Sequence, residues 1–199
     1  MTTTFWLIRH GETNTIGKTI TGRLPGVTLT DNGRRQVDLL VQALARAPIE
    51  VIYASPLQRT METAEPLARA RNLNILTCEA VNELDFGDWA GKSWGELREL
   101  PQWRRFNTLR SSTPIPNGEL MLDVQARIVR EFECMRQRHP DQHIAIVTHS
   151  DIVKAAVAHF TGIPLDLFHR FEIAPASFST IALDDHGPRL LRLNCTVEL

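Results

Sequence analysis

Short apolar runs alternate along this chain with stretches of helical periodicity, and their order predicts the fold. Phe5–Ile8 is an apolar run closed by Arg9-His10-Gly11, and Glu50–Ala54, Asn74–Cys78 and His143–His149 have the same character. Runs of this length bounded by turn signals predict buried strands. Between them, apolar residues recur at helical spacing. Val37, Leu40, Val41, Leu44 and Ala45 follow a helix start at Thr30-Asp31. Leu57, Met61, Ala64, Leu67 and Ala68 follow Ser55-Pro56, with serine expected at N-cap and proline at N1. The longest helix is predicted over Glu119–Arg138, with Leu122, Ala126, Val129, Phe132 and Cys134-Met135 inward, and shorter ones over Ser93–Leu100 and Ile152–Phe160. Phe168–Ile173, Phe178–Leu183 and Leu190–Cys195 are predicted strands, and Asp184–Pro188 turns between the last pair. Asn14–Thr30 and Pro101–Asn117 show neither period. The first is a long loop, and the second is expected to be an irregular lid or substrate-contacting segment. Strand–helix alternation predicts a three-layer α/β/α sandwich with a mostly parallel central sheet and an antiparallel edge from the tail strands. No repeat or linker divides the chain, so one domain is expected over residues 1–199.

In an open α/β sheet, ligands sit at the carboxyl ends of the strands. Two predicted strands end there in a histidine, His10 and His149. Arg9 precedes the first and offers a planar fork of donors suited to phosphate. Ser150 and Asp151 follow the second and open a helix. Arg59 falls in the first turn of the helix after Glu50–Ala54, where the helix dipole disfavours a cation unless an anion is shared there. The alternative is an exposed surface arginine. Thr21-Gly22-Arg23 lies in the long loop and either faces an anion or is plain turn chemistry. Asn82–Gly91 mixes acids with Phe86 and Trp89. Such surroundings can hold a carboxyl protonated for general-acid work, or the aromatics simply pack down.

Composition narrows the field of partners. The chain has 199 residues, 43% hydrophobic and 23% charged, with a formal net charge of -1. The missing basic excess argues against a nucleic-acid or membrane binder. No stretch approaches the roughly 20 apolar residues of a membrane span. Cys78, Cys134 and Cys195 form no Cys-x-x-Cys pair, which fits a reducing, cytoplasmic compartment better than a disulfide scaffold or zinc site.

Arg9, His10, Arg59, Glu83 and His149 together suit one chemistry. Cationic groups around a nucleophilic imidazole make a pocket for a dianion, and histidine can take a phosphoryl group on nitrogen. A carboxylic acid beside it can protonate the leaving oxygen and later deprotonate water. A P-loop is excluded, because Phe86 stands where Gly91-Lys92 would require glycine. His139-Pro140-Asp141-Gln142-His143 resembles a metal cluster only in composition, and no structural metal is expected there. His159, His169 and His186 are expected to be structural.

These motifs together resemble the histidine phosphatase superfamily, also called phosphoglycerate-mutase-like. Arg9-His10-Gly11-Glu12-Thr13 matches its signature, and Ser55-Pro56-Leu57-Gln58-Arg59-Thr60 with Thr63-Ala64 matches its second block. Glu83, Phe86-Gly87 and Trp89-Ala90-Gly91 match the acid loop, and Asn117-Gly118-Glu119 and Thr148-His149-Ser150 the remaining blocks. The resemblance implies that His10 is phosphorylated and that Arg9, Arg59 and His149 hold the phosphoryl group. It implies that Glu83 gives and takes the proton, and that Thr21, Gly22 and Ser150 add polar contacts. Ile16 replaces the usual asparagine, Pro25–Thr30 departs from the family's Asp-x-Pro-Leu-Thr, and Ser150-Asp151 replaces a glycine-bearing pair.

The implied activity is metal-independent hydrolysis of a small phosphorylated metabolite, with no metal or organic cofactor. The segment between the acid loop and His149 is short beside that of the family's mutases, which enclose a bisphosphorylated intermediate. The alternatives are mutase-type transfer, with Arg104, Arg105 and Arg110 binding a carboxylate, and a non-catalytic phospholigand-binding module. Oligomeric state is not legible.

Overall fold

The computed structural model of the chain describes residues 1–197. The elements run β1 (Thr3–Arg9), α1 (Asp31–Ala43), β2 (Val51–Ala54), α2 (Gln58–Arg71), β3 (Ile75–Thr77), α3 (Trp94–Arg98), α4 (Pro101–Thr108), α5 (Met121–Arg138), β4 (His143–Thr148), α6 (Ser150–Thr161), β5 (Phe178–Asp184) and β6 (Gly187–Cys195). The sheet has the order β3-β2-β4-β1-β5-β6. β3, β2, β4 and β1 pair in parallel, and β5 and β6 add the antiparallel edge.

Alternation along the central strands builds two cores. Phe5, Leu7, Tyr53, Ile144 and Ile146 face α5 and α6, while Trp6, Ile8, Ile52, Ala145 and Val147 face α1 and α2. Phe5 stacks on Phe132 of α5 with ring centroids 4.5 Å apart. Burying an aromatic or aliphatic side chain of this size contributes about 1.5–3 kcal/mol. Helices therefore cover both faces, in the expected three-layer sandwich.

Several expectations about local structure are corrected. Pro101–Asn117 is not irregular throughout, because Pro101 starts α4 at its first turn and buries Trp103 and Phe106 one turn apart against Trp89. Phe168–Ile173 is not a strand. A 3-10 turn runs over Leu165–Arg170, and β5 already occupies the free side of β1. Ser55 does not cap α2, whose N-cap is Leu57 without a side-chain bond. The serine hydroxyl is engaged in the site instead. In α5 the inward stripe is Met121, Val124, Ile128, Phe132 and Met135, whereas Leu122 and Ala126 are exposed. Counting from Leu122 rotated the apolar face by about one residue.

Register sets up the site. β1 and β4 are parallel neighbours with Arg9 opposite Thr148. The next residues, His10 and His149, therefore leave the sheet side by side. Gly33 of α1 lets the backbone after β1 pack closely, since a Cβ there would lie 2.2 Å from the Glu12 carbonyl oxygen. Glu12 itself faces away from the site. Its carboxylate accepts from Thr30 at 2.8 Å and Asn32 at 3.0 Å, which closes the base of the long loop onto α1.

Candidate active site

A cavity of about 270 Å³ opens at the carboxyl ends of β1, β2 and β4. Arg9, His10, Thr21, Gly22, Arg59, Glu83 and Ser150 all line it. The rings of His10 and His149 meet at an angle of 63° with centroids 5.3 Å apart.

Hydrogen bonds fix what each histidine offers. His10 Nδ1 lies 2.8 Å from the Gly11 carbonyl oxygen. A carbonyl only accepts, so Nδ1 carries the proton and Nε2 keeps a free lone pair. Burial and the nearby Arg59 and Arg9 hold His10 well below the ordinary histidine range, so the ring is neutral at pH 7. For His149, Nε2 lies 2.9 Å from Ser55 Oγ, which donates to Asn82 Oδ1 at 3.2 Å. Ser55 Oγ thus accepts from Nε2–H. His149 Nδ1 then accepts from Arg59 Nη2 at 3.1 Å. Burial first, then Arg59, keeps His149 neutral as well.

The arginines are held from behind. Arg9 Nη1 donates to the Ile173 carbonyl at 2.5 Å, and its buried Nε has no partner among the described residues. Arg59 is 2% exposed and donates to the Gly22 carbonyl at 2.8 Å. Buried guanidinium groups with uncommitted donors form a preorganised anion site. Arg59 is therefore not the exposed surface residue that was its alternative.

Glu83 completes the cluster. Its Oε2 lies 3.5 Å from His149 Nδ1 and 3.9 Å from Arg59 Nη2. Burial, reinforced by the charge of Asp151, raises its carboxyl to about 7. The loop that carries it is strapped down. The Glu83 carbonyl accepts from Arg23 Nε at 2.8 Å and Arg127 Nη2 at 3.3 Å, and Glu119 bridges those two arginines. Gly87, at φ +44°, allows this closeness, because a Cβ there would lie 2.2 Å from the Pro116 carbonyl oxygen. Phe86 and Trp89 pack down, as the plainer reading of that loop held.

A sequence profile of the histidine phosphatase superfamily (branch 1) matches residues 5–196. The chain belongs to the histidine phosphatase superfamily. It is 32% identical to phosphoserine phosphatase 1 of Hydrogenobacter thermophilus, over 97% of this chain and 92% of that one. Among solved structures, it superposes on Bacillus stearothermophilus YhfR with a TM-score of 0.92 and 28% identity, covering 98% of each chain. It also matches an Entamoeba histolytica phosphoserine phosphatase in complex with 3-phosphoglyceric acid, with a TM-score of 0.87, 26% identity and 98% of each chain covered. This histidine phosphatase is an enzyme, a phosphoric monoester hydrolase.

The structure also redistributes some arginines. Arg23 does not join the cavity with Thr21 and Gly22, since it turns to Glu83, Asp85 and Glu119. Arg104 and Arg105 lie outside the cavity, and Arg104 donates to its own neighbourhood at the Arg98 carbonyl. Only Arg110 of that group reaches the site. His169, expected to be structural, lines the cavity and accepts from Arg110 Nε at 3.0 Å. Asn107 and Asp151 line it too, and sequence reasoning missed their place. The signal for Asp151 was present, because it follows His149-Ser150 at the same strand end.

Proposed function

We propose that the chain is a single histidine phosphatase domain that hydrolyses a small phosphorylated metabolite through a phosphohistidine on His10, without a metal ion. The observation that carries this reading is the bond from His10 Nδ1–H to the Gly11 carbonyl, which leaves Nε2 as a nucleophile inside a buried anion site. Nε2 attacks phosphorus, and the bond to the ester oxygen breaks. Arg9 and Arg59 neutralise the phosphoryl oxygens, and this electrostatic support is the main source of rate in such a step. When a dianion balances the two arginines, His149 Nδ1 gives up its bond from Arg59, takes a proton from solvent, and then donates to the phosphoryl group. Among the described residues Thr21 Oγ1, the Gly22 N–H and Ser150 Oγ, all from residues lining the cavity, make no hydrogen bond, and they would add contacts. Glu83 enters protonated, passes its proton to the leaving oxygen, and as a carboxylate removes one from the water that attacks the phosphohistidine. The catalytic roles fall on His10, Glu83 and His149, and the phosphate contacts on Arg9, Arg59, Thr21, Gly22 and Ser150.

Against mutase-type transfer stand Arg104 and Arg105 outside the cavity and Arg110 with each nitrogen already donating to a neighbour. The substrate is a small phosphate ester in the cytoplasm, with neither nucleic acid nor membrane as partner. No helix among the described residues is long and apolar enough to cross a membrane.

The test follows inorganic phosphate released from a panel of phosphate monoesters in chelated buffer, for the wild type and His10→Ala. Release by the wild type and at least a ~10³-fold loss in the variant are expected. Equal activity in both proteins would remove His10 from the mechanism. Interconversion of phosphoglycerates without release would favour the mutase.

A further inference from the structure

The end of the cavity away from the phosphate cluster is built around Arg110, and its bonding has a consequence for the substrate. Arg110 is 4% exposed. Its guanidinium carbon lies 4.3 Å from the ring centroids of both Phe106 and Phe168, so each face of the group is covered. Its edge donates from Nε to His169 at 3.0 Å, from Nη2 to Asn107 Oδ1 at 3.0 Å and from Nη1 to Asp151 Oδ2 at 3.3 Å. A guanidinium held this way, with every nitrogen already donating and both faces covered, serves mainly as scaffolding, although its edge still lines the cavity.

Asp151 is different. Its side chain is 21% exposed and lines the cavity, and among the described residues only Oδ2 accepts a hydrogen bond. Oδ1 is free. Burial and the adjoining Arg110 push His169 down to about 4, so it adds no charge at neutral pH. Lys154, one turn further along α6, is tied to Glu172 at 3.3 Å and does not line the cavity. Among the described residues, each nitrogen of Arg110 already donates once, so the charged atom at this end with no hydrogen bond is an acceptor, Asp151 Oδ1. A phosphate dianion would balance Arg9 and Arg59, leaving Asp151 to act on the rest of the substrate. Phe86, Trp94 and Trp103 also line the cavity, and aromatic surfaces favour a cation.

We propose that Asp151 is a specificity residue that selects phosphate monoesters whose alcohol carries a protonated amine, over phosphorylated acids and neutral alcohols of the same size. This rests on the phosphatase reading above. Charge-assisted hydrogen bonds of this kind separate substrates by about 10–100-fold.

The test measures kcat/KM for O-phosphoethanolamine against 2-hydroxyethyl phosphate, and for O-phosphoserine against 3-phosphoglycerate, in the wild type and Asp151→Asn. p-Nitrophenyl phosphate serves as a common reference. Asparagine still accepts from Arg110 but lacks the charge. The wild type should favour each amine at least ~10-fold, and the variant should bring both ratios close to one. Using ratios within one protein removes any general effect of the change on Glu83 or folding. If the variant does not fold, the wild-type ratio followed with pH replaces it. The preference should fade as the substrate amine deprotonates near ~10. Absence of a wild-type preference, its survival in Asp151→Asn, or a ratio unchanged as the amine deprotonates overturns the proposal. If reference hydrolysis dependent on His10 persists, that failure concerns Asp151 alone; if no ester is hydrolysed, the phosphatase reading fails instead.

Discussion

β4 has a histidine at or just past each end, and the two have opposite fates. At its carboxyl end, His149 turns Nδ1 into a cluster with Arg59 and Glu83. At its amino end, His143 Nδ1 accepts from Trp6 Nε1 at 3.2 Å. Nearby, His139 has both ring nitrogens occupied, Nε2 by the Tyr53 hydroxyl at 2.9 Å and Nδ1 by Gln142 at 3.1 Å. The amino end also holds two imidazoles, but among the described residues it has no buried arginine with spare donors beside them. The difference is one of topology. Parallel strands open into a cleft at their carboxyl ends, where the following helices begin and their free N–H groups favour anions. At the other end the chain closes on itself, and polar side chains satisfy one another.

Breaking the carboxyl-end cluster should have the largest effects. After His10 itself comes Glu83. Glu83→Gln should lower turnover of alkyl phosphates by about 10²–10⁴, because their poor leaving groups need a proton. Aryl phosphates, with better leaving groups, should suffer less in a single-turnover measurement of His10 phosphorylation. The wild type should also lose activity as pH rises through about 7, where the carboxyl ionises, and the variant should lack that limb. Stability follows with a definite sign. The folded-state value lies above the ordinary glutamate value of 4.5. Stability is therefore lost as pH rises between the two, where only the unfolded chain ionises. Glu83→Gln should melt above the wild type at pH 8 and with it at pH 4. Equal alkyl and aryl losses would show that Glu83 is not the proton donor.

A smaller effect is expected from the strap behind the acid loop. Glu119 accepts from Arg23 at 2.8 Å and from Arg127 at 3.2 Å, and also from the Asp85 N–H at 2.9 Å. It does not line the cavity. Glu119→Gln keeps an acceptor but removes the charge that gathers both arginines at the Glu83 carbonyl. A fall in kcat of about tenfold is expected, with KM little changed. A change confined to KM would place Glu119 with substrate binding instead of with the position of Glu83.

The carboxyl-end cluster was legible because it rests on strand ends, and strand ends are marked in the sequence. An apolar run followed by Arg9-His10 or by His149 locates its own polar residues. Glu83 was legible from the acid–aromatic mixture around it, and the outline of the sandwich from the alternation of periods. The distal wall was not legible. Arg110, Asn107 and His169 are brought together from α4, the segment after it and the turn over Leu165–Arg170. No local period relates those stretches. Their meeting depends on Phe106 and Phe168 closing over one guanidinium. The same lack of a local signal concealed α4, whose few residues carry only Trp103 and Phe106 as a buried pair. Ser55 misled for a related reason, since a serine before proline satisfies the rule for a cap while its hydroxyl serves His149.

The sharpest form of the comparison uses β4 alone. His143→Ala leaves the indole N–H of Trp6, a residue 7% exposed, without its acceptor. An unpaired, largely buried donor costs about 1–3 kcal/mol, which for a chain of this size lowers Tm by several degrees, at about 2–4 °C per kcal/mol. The rate should stay within about twofold, because the cavity lies at the opposite end of the strand. His149→Ala should instead strike the rate. It removes a phosphoryl donor, a loss of about 10²–10³ in kcat, and because the ring is fully buried and bonded to Ser55 and Arg59, Tm should fall as well. Measuring both quantities for both variants separates position from residue type. If His143→Ala reduced kcat as much as His149→Ala does, the two ends of the sheet would be coupled, and strand-end topology would not explain why one histidine works and the other only holds the fold.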